Sequence, residues 1–571
     1  MSDADVPLHE SINLELQKTI AKNMDVNIKP CADFYKYTCG NWWRHHDKFN
    51  FEETLKYDIN TELIGLIEDS TNSWQNKPKF THKVRDLFKS CMNSEEFISE
   101  YYMRQLRRLE GIDWALWAKN ESIDDWVEIF AVATKYGMND ILLEGVIAPL
   151  ESADDPSNVM TIHLRKGVSD YGFNEMITHD VRRLRDTMDM ETDLMDYYEA
   201  IRNFEIALRE LNNKEYPASP RQILEVKDLP IEWLKKYLEY IVAPDYALDP
   251  HMKVVVTDLD YLKALDALLM KTDKKFLRIY IEMRFLRHFY HNVRVHRKYS
   301  CLAAVRGIMP LAMHWIYEDM HHLDAVTVND IQTMFTAILQ QIYETLHRDR
   351  YGVVDAESLE KLKSMKLIIG NLPRHNTTDF LEEFYAPIMV KPQFYKNFLA
   401  IQKLQTSNML KALYNRAEDN YVSDEFYDTF ENFNNVAVNI PKYYPAHNVL
   451  LLPTYLLRSP LYQQEFEPIF KYSLLGSTLA SAVFSTLHFN DFTKDQINTV
   501  IFAGSIRTSY DVFFSREVTL ENFEAIDDLK KLSKKQLFLV NAMHAHCGRS
   551  FNEEWFSDRA LYFPEFSKIF D

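Results

Sequence analysis

A mainly α-helical protein of two or more domains is what this sequence predicts, and three observations lead there. At 571 residues the chain is long enough to bury more than one core. Glycine is scarce, 13 residues in all, where an average composition would supply about 7%. Leu, Lys, Glu, Met and Tyr are plentiful instead, which favours helices over tightly turning sheets. A hydrophobic share of 46%, with 13% aromatic, supplies the apolar side chains that folded cores need.

Periodicity places the elements. From Ile123 to Phe130 apolar residues recur at helical spacing. The segment opening at Asp186 reads as one long amphipathic helix that ends at Asn212, Asn213 and Lys214. Lys253–Thr257 carries a short strand signal, and Asn448–Pro453 a second. Leu359–Pro373 is read as a further helix, stopped by Gly370 and Pro373. No internal repeat or low-complexity tract interrupts the chain.

Charge narrows the partners. Lys and Arg number 65 against 84 Asp and Glu, a net charge of −19 spread along the chain. Nucleic acid and anionic membrane surfaces reward basic patches, so neither is expected as a partner. No run of about 18 apolar residues exists to span a bilayer. The N-terminus is polar and acidic with no apolar signal core, so the chain reads either as cytoplasmic, if complete, or as a mature form. Five cysteines, Cys31, Cys39, Cys91, Cys301 and Cys547, form no compact disulfide framework by spacing alone. The sequons Asn120-Glu-Ser and Asn376-Thr-Thr are glycosylation candidates, compatible with secretion.

From Pro30 the chain reads Pro-Cys-Ala-Asp-Phe-Tyr-Lys-Tyr-Thr-Cys-Gly-Asn-Trp-Trp. This run resembles the opening of the ectodomain in the neprilysin and endothelin-converting-enzyme family of zinc endopeptidases. The segment around Cys91, the Leu359–Pro373 stretch, Asn448–Leu457 and Gln536–Gly548 are similar to later family segments in the same order. The resemblance implies two mainly helical domains around a central cavity. A thermolysin-like peptidase domain would comprise residues 1–38 and 420–571, and a helical domain closing the cavity would comprise 39–419. It also implies the disulfides Cys39–Cys547 and Cys91–Cys301. The family partner of Cys31 follows a Glu-Phe-x-x-x-Phe segment, here Glu565–Phe570, after which only Asp571 remains. Cys31 is therefore expected to stay outside any disulfide. Bridges of this kind point to an extracellular or cell-surface location.

Zinc hydrolysis in this family rests on His-Glu-x-x-His on a helix, two imidazoles one turn apart with a Glu that activates metal-bound water. No two of the 19 histidines are four apart. The lone His-Glu pair, His9-Glu10, is followed by Asn13 where the second histidine would stand. By resemblance the motif falls on Ser477, Thr478 and Ser481, with Ser477 and Ser481 at the ligand positions and Thr478 at the base. The second motif falls on Asn498–Tyr510, where Asn498 replaces the carboxylate ligand and Phe502 its supporting Asp. Gly504, Arg507 and Tyr510 keep the scaffold. The family's substrate-backbone clamp would lie near Ile440–Tyr443, its Asn lost or displaced to Asn439. Its transition-state His and carboxylate-binding Arg have no match in register, although His546 and Arg559 lie nearby.

Rival sites are weaker. His314, Glu318 and His321 lie at i, i+4 and i+7 with His322 adjacent, a possible metal face that reads more simply as a polar surface stripe. His288 and His291 are two ligands at most, and His544 and His546 read as structural or exposed. Ser477 or Ser481 as a hydrolase nucleophile lacks a Gly-x-Ser-x-Gly elbow. No phosphate-cradling glycine loop exists. The expectation is a catalytically inactive member that has lost its zinc and holds no other cofactor. It would bind peptides or partner proteins as a decoy or regulator of active peptidases. The alternatives are an active metallopeptidase with unconventional ligands and an interaction protein whose cavity is filled by its own side chains.

Overall fold

Side-chain caps set the helix boundaries in the computed structural model of the chain. It describes residues 8–46, 50–69, 74–94, 99–112, 114, 125–139, 141–149, 160–166, 194–214, 222–288, 297–321, 323–348, 353–373, 376–414, 427, 441–445, 447–490, 492–515, 525–548 and 566–570. Asp33, Asp125, Asp324 and Asp355 each accept a backbone N–H at the start of a helix. Asn50 with Glu53, Thr493 with Gln496 and Ser533 with Gln536 form reciprocal capping boxes. These satisfy backbone donors that the first turn leaves without partners.

The chain folds into two compact units. The first combines Met1–Ser73, Pro310–Thr377 and Phe426–Asp571; the second combines Trp74–Met309 and Thr378–Glu425. Residues 39–73 and 310–377 therefore lie in the unit of the C-terminal third, a different division from the one drawn by resemblance. Pairing explains it. Strand β5 (Lys366–Ile369) lies parallel to a strand near residue 450, and the helix Ala325–His347 packs on helices of the C-terminal third.

Among the described residues each unit carries one small sheet beside its helices. In the second unit β1 (Leu143–Pro149), β2 (Met160–Lys166), β3 (Gln222–Glu225) and β4 (Lys253–Val256) form a sheet of order β1-β2-β4-β3. Here β2 and β4 run parallel, and Val254, Val255 and Val256 are fully buried. In the first unit β5 is joined by β6 (Lys442–Tyr444) and β7 (Val449–Leu452) in the order β5-β7-β6. Both expected strands are present, at Lys253–Val256 and Val449–Leu452.

Two expected helices need correction or trimming. The Leu359–Pro373 stretch is not one helix: the helix ends at Ser364, and Lys366–Ile369 is β5. Leu367 pairs with Leu450 and Ile369 with Leu452, so tertiary pairing and β-branched side chains outweigh the helical spacing. Gly370, at φ +84, turns the chain out of that strand rather than closing a helix. The helix expected from Asp186 ends as read, at Asn213, but its regular part begins at Tyr198 after a tight turn at Leu194–Tyr197. Residues 186–193 lie outside the described residues, as do Ile123 and the sequon at Asn120.

Disulfides join distant segments within each unit. Cys39–Cys547 spans 508 residues in the first, and Cys91–Cys301 spans 210 in the second. Cys31 is exposed and takes part in neither bridge. In the second unit a fully buried polar knot accompanies the bridge. Arg284 and the Tyr280 hydroxyl both donate to the Glu205 carboxylate, and Arg278 Nε donates to Glu282 at 2.9 Å. Replacing Cys39 and Cys547 together by Ser is expected to destabilise the first unit by about 2–5 kcal/mol. A drop in its chemical-denaturation midpoint checks this; an unchanged midpoint contradicts it.

Candidate active site

Two helical runs carry the residues that the sequence singles out. One passes from Pro468–Lys471 through a π-helical turn at Tyr472–Gly476 into the helix Ser477–Phe484. The other passes from Lys494–Thr499 through a π-helical turn at Val500–Gly504 into the helix Ser505–Ser515. Single π turns widen a helix locally, cost backbone regularity and are concentrated at functional sites. Both fall at the candidate motifs.

Small residues let the two runs cross closely. A methyl group at Gly476 would collide with Ser509 Oγ, and one at Gly504 would press the Phe484 ring at 3.3 Å. Ser509 Oγ donates to the Tyr472 carbonyl at 2.6 Å, which meets a backbone acceptor of the π turn. The third layer is the helix Lys534–His544, whose Asn541 amide donates to Ser473 Oγ at 2.7 Å. Ser473 Oγ in turn donates to the Phe470 carbonyl. Ser473, Ser509 and Asn541 are at most 1% exposed.

The candidate residues occupy this layer unequally. Ser477 and Thr478 are buried, each 8% exposed, and Ser477 Oγ has no hydrogen-bond partner. Ser481 is half-buried and its carbonyl accepts from the Ser485 hydroxyl at 2.8 Å. Asn498 is exposed near the end of its helix. Phe502 is buried, with its ring set edge-on to His546 at 4.9 Å between centroids. Arg507 Nε donates to Asp511 at 2.7 Å, and Tyr510 packs against Phe514 and Phe538. Of the expected clamp, Lys442 and Tyr443 lie on β6; Asn439 and Ile440 lie outside the described residues, as does Arg559.

Zinc does not fit this donor set. The ion takes imidazole, thiolate or carboxylate ligands, whereas these positions present hydroxyls, a carboxamide and a phenyl ring. Among the described residues no group of three or more His, Cys, Asp or Glu is placed to hold a metal. His544, fully buried, is pushed down to about 3 by loss of solvent and by nearby His46, so its imidazole is neutral at ordinary pH.

The structure also takes apart the rival metal face. His314 is fully buried rather than part of a surface stripe, and its ring stacks near Tyr455. His321 is exposed and bonds to Glu62 at 2.8 Å, while Glu62 also receives Arg458 at 2.7 Å. Glu318 lies under Gly370 at the ends of β5 and β7, accepting from Thr454 Oγ1 at 3.2 Å. Burial pushes its carboxyl up, against the opposing pull of His314, Thr454 and the Asn371 backbone N–H. His288 is described but His291 and His322 are not.

Sequence reading gave no packing role to Gly476, which it aligned only as part of the first motif, or to Ser473, Ser509 and Asn541. The signal was present as small residues four apart, Gly476 with Ala480 and Ser505 with Ser509, a spacing that lets helices approach closely.

A mainly helical chain in two units, with its candidate site on paired helices, has the fold of a zinc metalloprotease. The Mycobacterium tuberculosis zinc metalloprotease Zmp1, solved in complex with an inhibitor, superposes with a TM-score of 0.65 over 96% of both chains, at 12% identity. The chain belongs to peptidase family M13, whose N-terminal model matches residues 30–373. Neprilysin-2 of Caenorhabditis elegans is 21% identical over 90% of this chain and 74% of its own length. Membrane metallo-endopeptidase-like 1 of Mus musculus is 34% identical, but over 18% of this chain and only 14% of that protein.

Two outcomes follow from this geometry. Gly476→Ala is expected to destabilise the protein by about 1–3 kcal/mol through overpacking, and adding Ser509→Ala should restore part of it. A double-mutant cycle reads the coupling, and purely additive effects would refute the close crossing. Glu318, whose folded pKa is raised, stabilises the fold below the ordinary carboxyl range and loses that contribution as pH rises through the folded value. Glu318→Gln should therefore raise stability more at pH 7 than at pH 4, as thermal melts at the two pH values would report.

Proposed function

We propose that this chain is a non-hydrolytic member of peptidase family M13 that binds peptides or protein segments on a peptidase scaffold. The observation that carries the reading is the donor chemistry at Ser477, Thr478, Ser481, Asn498 and Phe502. Neutral hydroxyls and an amide neither replace imidazole and carboxylate at a zinc ion nor serve as the general base that hydrolysis needs. The scaffold is nevertheless kept: both π turns, the close helix crossing and the Arg507–Asp511 pair are built around those positions.

Binding has a structural basis of its own. Strand β6, which pairs with β7, carries Lys442 and Tyr443 of the expected substrate-backbone clamp. Lys442 on that strand is exposed and lies over the Tyr444 ring, which suits a peptide with acidic or apolar side chains. A decoy or regulator of active relatives would hold a peptide there without cutting it. The two disulfides favour an extracellular or cell-surface setting, and among the described residues no helix is long and apolar enough to cross a membrane.

A second reading has one observation in its favour. The buried Phe502 ring against His546 fills space with apolar atoms, as a protein acting only through its surface would do. Titration with a mixed pool of short peptides distinguishes the two. Purified protein is expected to carry far less than one zinc per chain by elemental analysis, to bind peptides with a chelator present, and to release them intact. Stoichiometric zinc or chelator-sensitive cleavage would overturn the proposal. Absence of any peptide binding would favour the filled-pocket reading.

A further inference from the structure

We infer that Asn376 is an N-glycosylation site. Its acceptor sequence is Asn376-Thr377-Thr378, and such triplets arise often by chance, so the case rests on the fold. Asn376 and Thr378, the two residues the transfer reads, are both exposed. The Asn376 backbone is left-handed, at φ 49, a conformation that asparagine tolerates better than most residues with a β-carbon. It sits on a bend immediately before the helix Thr377–Tyr385, so its side chain leaves the chain at an element boundary rather than from a packed face. The Thr377 hydroxyl donates to the Pro373 carbonyl at 2.6 Å and holds the bend in shape. Among the described residues the Asn376 amide is engaged in no hydrogen bond that modification would break.

Location and compartment agree. The triplet lies at an exposed bend that opens a helix, where added bulk is tolerated. The disulfides Cys39–Cys547 and Cys91–Cys301 require an oxidising route, and glycan transfer to asparagine belongs to secreted chains. In the transfer Asn376 Nδ2 forms a bond to the anomeric carbon of a lipid-diphosphate-linked oligosaccharide. The bond from that carbon to the diphosphate oxygen breaks, the lipid diphosphate leaves with its electron pair, and one amide proton is released. No oxidant or reductant is needed. The other sequon, at Asn120, lies outside the described residues.

The full chain, expressed through the secretory route of a eukaryotic host, tests this directly. Enzymatic removal of N-glycans should shift its mobility and leave aspartate at position 376 in peptide mass spectra. Asn376→Asp, which keeps a residue suited to the left-handed backbone, should remove this site's share of the mobility shift, and Thr378→Ala should leave Asn376 unconverted, while Thr378→Ser keeps both signals. Both disulfides should form in every variant, which separates loss of the acceptor from loss of the fold. A disulfide-bonded, secreted chain whose Asn376 peptide is fully unmodified would overturn the proposal.

Discussion

The first unit is assembled from three separate stretches of chain, and its integrity depends on pinning the beginning of the protein to its end. The Cys39–Cys547 bridge is the covalent part of that clasp. Beside it the Phe51 N–H donates to the Cys547 carbonyl at 3.1 Å. Asn13, buried in the first helix, donates to the Glu465 carbonyl and accepts from the Glu467 N–H. Gln17 accepts from the Ile526 N–H at 2.9 Å. Closing so long a loop is entropically unfavourable, and side chains that read like surface polar residues in sequence meet that requirement by satisfying distant backbone groups.

With the ends held, the C-terminal helices can pack around a polar seam. Ser473, Ser509 and Asn541 would be costly in an apolar layer without partners, yet each has one within hydrogen-bond reach. The π turns create the need for them, because a widened turn leaves carbonyls such as that of Tyr472 turned away from the regular ladder. Ser477 is a buried hydroxyl with no partner, and the Asn541 side-chain oxygen likewise lacks one. By resemblance Ser477 aligns with a metal-ligand position of the family motif, and the proposed loss of hydrolysis rests on that alignment. His544, on the neighbouring helix, is an imidazole kept neutral by burial.

Much of the fold was legible in the primary structure. Composition, amphipathic spacing and the run from Pro30 to Trp43 pointed to a mainly helical chain of this family, and the disulfide partners followed from the resemblance. The failures are equally instructive. Lys366–Ile369 has neighbours that favour a helix and becomes a strand because β7 is there to pair with it. His314 and His321 share a helical face by spacing, but one is drawn into the core and the other bonds to Glu62 from an unrelated helix.

The sequence by itself determined which chemistry is available: no pair of histidines four residues apart, hydroxyls at Ser477, Thr478 and Ser481, and a sequon at Asn376. Side-chain chemistry is a local property, and a list of residues contains it completely. Only the tertiary structure decided which of those side chains are buried, which segments share a unit, and that the bends and exposures around Asn376 suit an attached sugar. Burial, strand pairing and helix approach depend on groups hundreds of residues apart, and no local pattern carries that information.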